Sequence, residues 1–457
     1  MTIISKGILS ILDQIFNKKT CLKIAYSNKF ISRSSSLLKG HEFAKVLILP
    51  SEGVNSDSLA GICDRLKKFN PSADISASAL AQRINTPSSV AFIKEIFGHL
   101  LQICRTQFAK KNNQFEKAFK YFKNVLIQDS TLIELNQIHK KKYPGTKRGK
   151  NCCKSQMKID VIHNYSTGQI IDLKIGAGKN PDQSLAKRIN QFINKGDLII
   201  RDLGYFAVDR ILEIENKGAY YLSRLPSHVT VYLKQADEAP IDLARYLDKN
   251  YPGAAVIDLQ EVYISAKKIK TRLVIYKVPK DVYEQRRRRA NKHSKETGRQ
   301  ESKAKSNLMK FSIFVTNVEK VKLSKELVGT IYRLRWEIEL IFKRWKSQLK
   351  IHYLKGTNKH RVNCLMWGRL CMVIIVAMLS ASFMNLTKEM FKRELSTKKF
   401  LDYLLREGKL CWALANSKLS ELEENVIEDI SWMMKDKRNR KTLLEKVMAF
   451  EEYYEGI

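Results

Sequence analysis

The sequence predicts an α/β protein whose mixed core is flanked by helical regions at both ends, and three observations carry that reading. Two short apolar runs, Val125 to Thr131 and Asp197 to Tyr205, each bring an aspartate to the point where the apolar character stops. Such runs, bounded by turn signals, read as buried strands. The stretch from Ile331 to Lys350 instead sets its apolar residues at helical spacing, and roughly a hundred residues between the two patterns show the alternation of half-buried strands.

Taken in order, residues 1–120 mix short helical patterns with polar loops and are expected to form a helical domain. Ser58–Lys68 and Ser88–Lys110 carry helical spacing, with Pro50, Pro71 and Pro87 as punctuation. Residues 121–386 hold the core. It begins with a strand delivering Asp129 at its carboxyl end, then a hairpin of Met157–Asn164 and Gln169–Ile175 around Ser166-Thr167-Gly168. A helix over Gln183–Asn194, the strand reaching Asp202, a further helix and a strand over Ala219–Leu225 follow.

A β-rich insertion is expected at about 226–310, with strand patterns at Val229–Leu233, Glu261–Ser265 and Thr271–Val278. It ends in a basic run, Lys280–Ser306, that contains Arg286, Arg287, Arg288 and Arg289. A run like this is a solvated helix face or loop, or it tracks phosphates, and one segment can do both. Phe311–Thr316 returns to the core as a strand. Leu370 to Met384 is almost wholly apolar, but it is short for a membrane span and follows Arg369, so a buried helix on the core is expected. Residues 387–457 alternate acidic and basic helical patterns around Trp412 and Trp432, which suits packing on the core or contacts between two copies.

Composition narrows the function. The chain has 82 Lys and Arg against 46 Asp and Glu, a formal charge of +36. An excess of that size favours a partner rich in phosphate over a merely soluble basic protein or a membrane-surface protein. The start, Met1 to Lys6, lacks the pattern of a signal peptide. Eight cysteines are scattered, and the adjacent pair Cys152-Cys153 has no zinc-ligand spacing, so reduced thiols in a cytosol are expected.

The chemistry concentrates near residue 340. Tyr332, Arg335, Glu339 and Lys346 are offset by three, seven and fourteen residues. At about 100° per residue they fall within roughly 60° of one another on a helix, forming one polar stripe. Ile331, Leu334, Ile338, Ile341, Phe342, Trp345 and Leu349 fall on the adjoining face, so the helix can pack on a core and present a carboxylate between cations. An ordinary amphipathic helix with a solvated edge satisfies the same spacing. Asp129 has a simpler reading as a helix cap before Ser130, and Asp202 as a turn residue before Gly204.

Together, Asp129-Ser130-Thr131, Asp202-Leu203-Gly204-Tyr205 and the Y-x2-R-x3-E-x6-K stripe resemble, in order and spacing, the signature of insertion-sequence transposases of the DDE class. The resemblance covers roughly residues 120–385 and implies a ribonuclease H-like core with a β-rich insertion before the Glu helix. It implies that Asp129, Asp202 and Glu339 are catalytic carboxylates binding Mg2+ or Mn2+, two ions in number. Tyr332, Arg335 and Lys346 would handle DNA phosphates, and Trp336 and Arg224 match residues the family places near the DNA. The partners implied are double-stranded DNA, both the terminal inverted repeats and the target, with a homodimer holding two ends and no membrane. Residues 1–120 would read the DNA ends, and the protein would be cytoplasmic, working on the bacterial nucleoid.

Hard oxygen ligands do suit magnesium or manganese, and two divalent ions about 3.5–4 Å apart stabilise the attacking and leaving oxygens of a phosphodiester. Relatives that cut through a DNA hairpin place an aromatic from the insertion on a flipped base, yet no Trp lies between residues 203 and 335. Tyr221, Tyr232 or Tyr246 could substitute, or could belong to the core. A hydrolytic nuclease of related fold and an inactive DNA-binding descendant are the alternatives.

Overall fold

The computed structural model describes residues 15–33, 37–48, 58–107, 119–148, 152–298, 302–354, 356–391, 393–406, 413 and 418–435. Trp412 lies outside them. The amino-terminal part forms helices α1 (Lys18–Ser27), α2 (Gly40–Ile48), α3 (Leu59–Phe69), α4 (Ala77–Ile84) and α5 (Pro87–Gln107). Serine caps set two of the starts, where an amino-terminal turn otherwise leaves its N–H groups without partners. The Gly61 N–H donates to Ser58 Oγ at 3.0 Å and the Ala79 N–H to Ser76 Oγ at 3.2 Å.

The sheet holds ten strands: β1 (Val125–Leu135), β2 (Pro144–Arg148), β3 (Cys152–Asn164), β4 (Gln169–Ala177), β5 (Leu198–Arg201), β6 (Tyr220–Arg224), β7 (Val231–Tyr232), β8 (Val256–Ile264), β9 (Ile269–Lys277) and β10 (Phe311–Thr316). Along one half the order is β4-β3-β1-β5-β6, with β3 antiparallel to β1 and with β1, β5 and β6 parallel. That is the arrangement of a ribonuclease H-like core. The other half, β10-β9-β8-β7, is antiparallel and continues the same sheet through the pairing of β10 with β6.

Helices α6 (Asp182–Leu185) and α7 (Val208–Asn216) connect the parallel strands. The helix expected over Gln183–Asn194 is shorter than its pattern. Only α6 is α-helical, and Ala186–Gln191 is a 3-10 turn that brings Arg188 to the sheet. The insertion carries α8 (Leu243–Asn250), α9 (Lys280–Thr297) and α10 (Lys303–Leu308) beside its strands. Its first strand is only two residues long where five were expected.

Beyond β10 come α11 (Lys325–Tyr332), α12 (Arg335–Ser347), α13 (Lys359–Phe391), α14 (Thr397–Leu405), α15 (Leu419–Glu428) and α16 (Ile430–Met433). The apolar stretch expected at Leu370–Met384 is the middle of α13, a 33-residue helix. By length and composition it could cross a bilayer, but 83% of its apolar window is buried inside the fold. It packs on α5 and α2, and Phe97 meets Trp367 with ring centroids 5.0 Å apart. Gly368 permits the approach to α2, because a Cβ there would stand 2.5 Å from the Leu47 carbonyl oxygen. One continuous apolar core therefore runs from Ile15 through β1, α12 and α13 to Met434, while a second lies on the opposite face of the sheet around β5, α7 and the insertion.

Candidate active site

Side chains alternate along β1, so its two faces divide the polar residues between the two cores. Val125, Ile127 and Ile133 belong to the core beneath α12 and α13, whereas Leu126 belongs to the other. Asp129 falls on the first face. The strand does not stop there, as the sequence pattern suggested. It continues to Leu135 because β3 pairs with it in register from Leu126↔Asn164 to Leu135↔Ser155. What stops is the parallel partner: β5 pairs only from Val125↔Leu198 to Gln128↔Arg201. One residue further on, Asp129 and Asp202 stand beyond the last pair, at the end of the parallel ladder where ligands gather in such sheets. Asp202 opens a 3-10 turn, Leu203–Tyr205, but its side chain makes no cap hydrogen bond and is left for the site.

The polar stripe is carried by two helices instead of one. The chain tightens at Arg333 and Leu334, whose N–H groups donate to Thr330 and Ile331 three residues back, so Tyr332 ends α11 and Arg335 opens α12. The stripe survives because a short 3-10 turn rotates the chain only slightly more per residue than an α-helix.

Arg335 stands in the middle of three carboxylates. Its Nη1 lies 2.6 Å from Glu339 Oε1 and 3.3 Å from Asp129 Oδ2, and its Nε lies 3.7 Å from Asp202 Oδ1. Tyr332 donates from its hydroxyl to Asp202 Oδ1 at 3.3 Å, with its ring against Phe314 at 5.0 Å. Burial pushes the Asp129 carboxyl up to about 7, against the Ser130 N–H and Arg335, with Asp202 and Glu339 adding to the rise. For Arg335 burial opposes the charge, but Asp202 and Glu339 outweigh it and the guanidinium is held more firmly protonated than usual. Crowded carboxylates repel, and here one half-buried cation offsets that repulsion.

The three acids are oxygen donors suited to a hard divalent ion. Among the described residues no three His, Cys, Asp or Glu side chains stand close enough to chelate an ion unaided. The chemistry nonetheless fits: three hard carboxylates are gathered around a single positive charge, which in this structure is a guanidinium. They form the floor of a cleft of about 750 Å³ whose wall includes Lys343, Lys346 and Lys350. Burial lowers the pKa of Lys346, and it makes no ion pair among the described residues.

The other residues singled out from the sequence are placed as follows. Arg224, at the end of β6, lies within electrostatic reach of both Tyr332 and Arg286. Trp336 is 59% exposed and does not line the cleft. The arginine run on α9 is divided. Arg286 donates to the carbonyls of Met309 and Phe311 and to Ser312 Oγ at 2.7–3.0 Å, whereas Arg287, Arg288 and Arg289 are exposed. None of the three tyrosines considered for base stacking is open. Tyr221 is buried and hydrogen-bonded to Thr271, Tyr232 is buried under Lys268, and Tyr246 packs edge-on against Tyr251.

Sequence reasoning missed a polar network on the far face of the sheet, directly behind the acids. Asp160 is fully buried and accepts from Gln128 Nε2 at 3.2 Å and from the Tyr205 hydroxyl at 2.5 Å. Arg188 pairs with both Asp160 and Asp172. Ser130 Oγ donates to Asp182 Oδ1 at 2.9 Å, and Lys158 joins the same oxygen at 2.7 Å. A hint was present in the sequence: Gln128 and Ser130 flank Asp129 at positions a buried strand normally fills with apolar residues.

A ribonuclease H-like sheet with two aspartates just past the ends of its parallel strands, and a glutamate brought to them by α12, has the oxygen donors that metal-assisted phosphodiester chemistry uses. Residues 120–375 match the transposase DDE domain family, and the chain belongs to that family. Its activity is therefore metal-dependent cleavage and strand transfer of DNA. The chain is 28% identical to the transposase for insertion sequence element IS231B of Bacillus thuringiensis subsp. berliner, over 97% of this chain and 98% of that one. It is 26% identical to the transposase for insertion sequence element IS1151 of Clostridium perfringens, over 86% and 85%. Among solved structures, a piggyBac transposase synaptic complex with hairpin DNA aligns with a TM-score of 0.46 and 11% identity, over 95% of this chain and 87% of that chain.

Proposed function

We propose that this transposase cuts the ends of an insertion sequence and joins them to target DNA at the site formed by Asp129, Asp202 and Glu339. One observation carries the reading: three acids from segments far apart in sequence meet around Arg335 on the floor of a lysine-lined cleft. These acids would hold two Mg2+ or Mn2+ ions. When bound, such ions supply Lewis-acid stabilisation of the phosphodiester and a water of lowered pKa.

The chain's own groups would do the rest. Arg335, released from the carboxylates, would grip a phosphate with its planar fork, Lys346 would act as a point charge, and Tyr332 would donate to a phosphate oxygen. Water attacks the scissile phosphorus and the 3′ oxygen leaves as a hydroxyl after taking up a proton. That hydroxyl then attacks a second phosphodiester, in the opposite strand to give a hairpin or in the target, and displaces another 3′ oxygen.

Arg224, within electrostatic reach of Tyr332, and the exposed Trp336 would meet DNA beside the cleft, and Arg287, Arg288 and Arg289 on α9 would follow the backbone further out. The helices of residues 1–120 would bind the terminal repeats, and residues 387–457 would help two copies hold two ends on the nucleoid. Replacing Asp129, Asp202 or Glu339 singly by Ala and assaying Mg2+-dependent cutting beside gel shifts on the same preparations tests the site. Loss of cutting with retained binding is expected in all three; a variant that still cuts does not belong to the site.

A further inference from the structure

The cleft extends well past the acids, and its far end is built with care. Where α12 ends at Ser347, Lys350 takes a left-handed backbone (φ 50°) and the Ile351 N–H donates to the Trp345 carbonyl at 3.1 Å. Ile351 is fully buried, and Arg369 reaches from α13 to donate to the carbonyls of Lys350 and Ile351 at 2.9 and 3.2 Å. This anchored turn presents Tyr353, which lines the cleft while 51% exposed, its ring centroid 4.3 Å from that of His352. Lys343 and Lys350 line the same cleft, both exposed and without an ion pair among the described residues.

We propose that Tyr353, with Lys343 and Lys350, forms a subsite for an unpaired nucleotide of the DNA strand adjoining the phosphodiester to be cut. This rests on the reading of the acid cluster given above. An exposed aromatic ring beside unpaired lysines in a concave wall is the combination that holds single strands, the ring stacking on a base and the cations on the phosphates. A base within a duplex is already stacked on both faces, so a ring fixed to the protein can take only a base that is unpaired or terminal. The cleft's 750 Å³ lies within the range of about 300–1,000 Å³ typical of pockets for small organic ligands, which accommodates a nucleotide. Tyr353 is thereby assigned a positioning role, fixing the strand relative to Asp129, Asp202 and Glu339.

The test is binding of the full chain, in EDTA and at low salt, to a blunt DNA duplex and to the same duplex with a short single-stranded deoxyadenosine tail. Wild-type protein should prefer the tailed duplex by about tenfold, the order expected for one stacked base. Tyr353→Ala should abolish the preference while leaving blunt-duplex affinity and melting temperature unchanged, and Tyr353→Phe should keep it. Replacing Lys350 by Ala should weaken tailed binding and flatten its salt dependence. Equal binding of both duplexes by wild-type protein, or a preference that persists in Tyr353→Ala, overturns the subsite. No cutting is required, so such a failure leaves the acid-cluster reading to its own cleavage assay.

Discussion

Two arginines, Arg335 and Arg286, look alike in sequence, each sitting among cations in a segment expected to touch DNA, but the fold uses them differently. Arg335 is surrounded by carboxylates that a metal can claim, so its charge can be released to a phosphate. Arg286 instead donates to two backbone carbonyls and a serine hydroxyl, so it ties α9 to the start of β10. The contrast teaches that what surrounds a cation, more than the local density of charge, decides whether it serves the ligand or the fold.

The largest effect should come from the partners of Arg335. Glu339→Gln keeps the shape of the side chain and removes its charge, and single-turnover cleavage of a pre-bound end should fall on the order of 10³-fold or more, as for loss of a major electrostatic stabiliser. Gel shifts on the same protein should change little. Arg335→Lys comes next: the charge stays but the planar fork is lost, so cleavage should drop by about 10–100-fold while the melting temperature moves only slightly. Cutting at the wild-type rate would make the stripe a merely structural edge. Lys346→Arg, a point charge replaced by another cation, should be milder.

Arg286→Ala should reverse the pattern. Removing a half-buried guanidinium with three acceptors should cost about 1–3 kcal/mol of stability, seen as a lower melting temperature, with little change in the salt dependence of DNA binding. The smallest effect on the fold belongs to its neighbours. Neutralising Arg287, Arg288 and Arg289 should leave melting unchanged and reduce the slope of log affinity against log salt by up to about 0.9 for each phosphate no longer neutralised. An unaltered slope would assign those three to solvent.

How much of this was legible follows from where the information lies. The acids were readable because each sits at a change of pattern: Asp129 and Asp202 after apolar runs, Glu339 on a helical stripe. The strands of the parallel half were readable for the same reason. The true length of β1 was not, since its continuation to Leu135 depends on the distant pairing from Ser130↔Asp160 to Leu135↔Ser155, which local pattern does not encode. The network of Asp160, Arg188, Asp172 and Tyr205 is dispersed over four segments with no motif and exists only once the sheet is assembled. The different fates of Arg286 and Arg287 were hidden because neighbours on a helix point about 100° apart, and only the packed structure says which faces β10. Tyr353 gave no signal, lying in a polar loop whose rigidity comes from Arg369 on another helix.

The central claim is that Asp129, Asp202 and Glu339 form one metal site, and it can be tested without DNA. Fe2+ bound in place of Mg2+ generates hydroxyl radicals with ascorbate and peroxide, and these cut the polypeptide beside the bound ion. Three sets of fragments are predicted, ending near residues 129, 202 and 339, all suppressed by excess Mg2+ and weakened together in Glu339→Gln. Cuts elsewhere, or a pattern missing any of the three, would contradict the account.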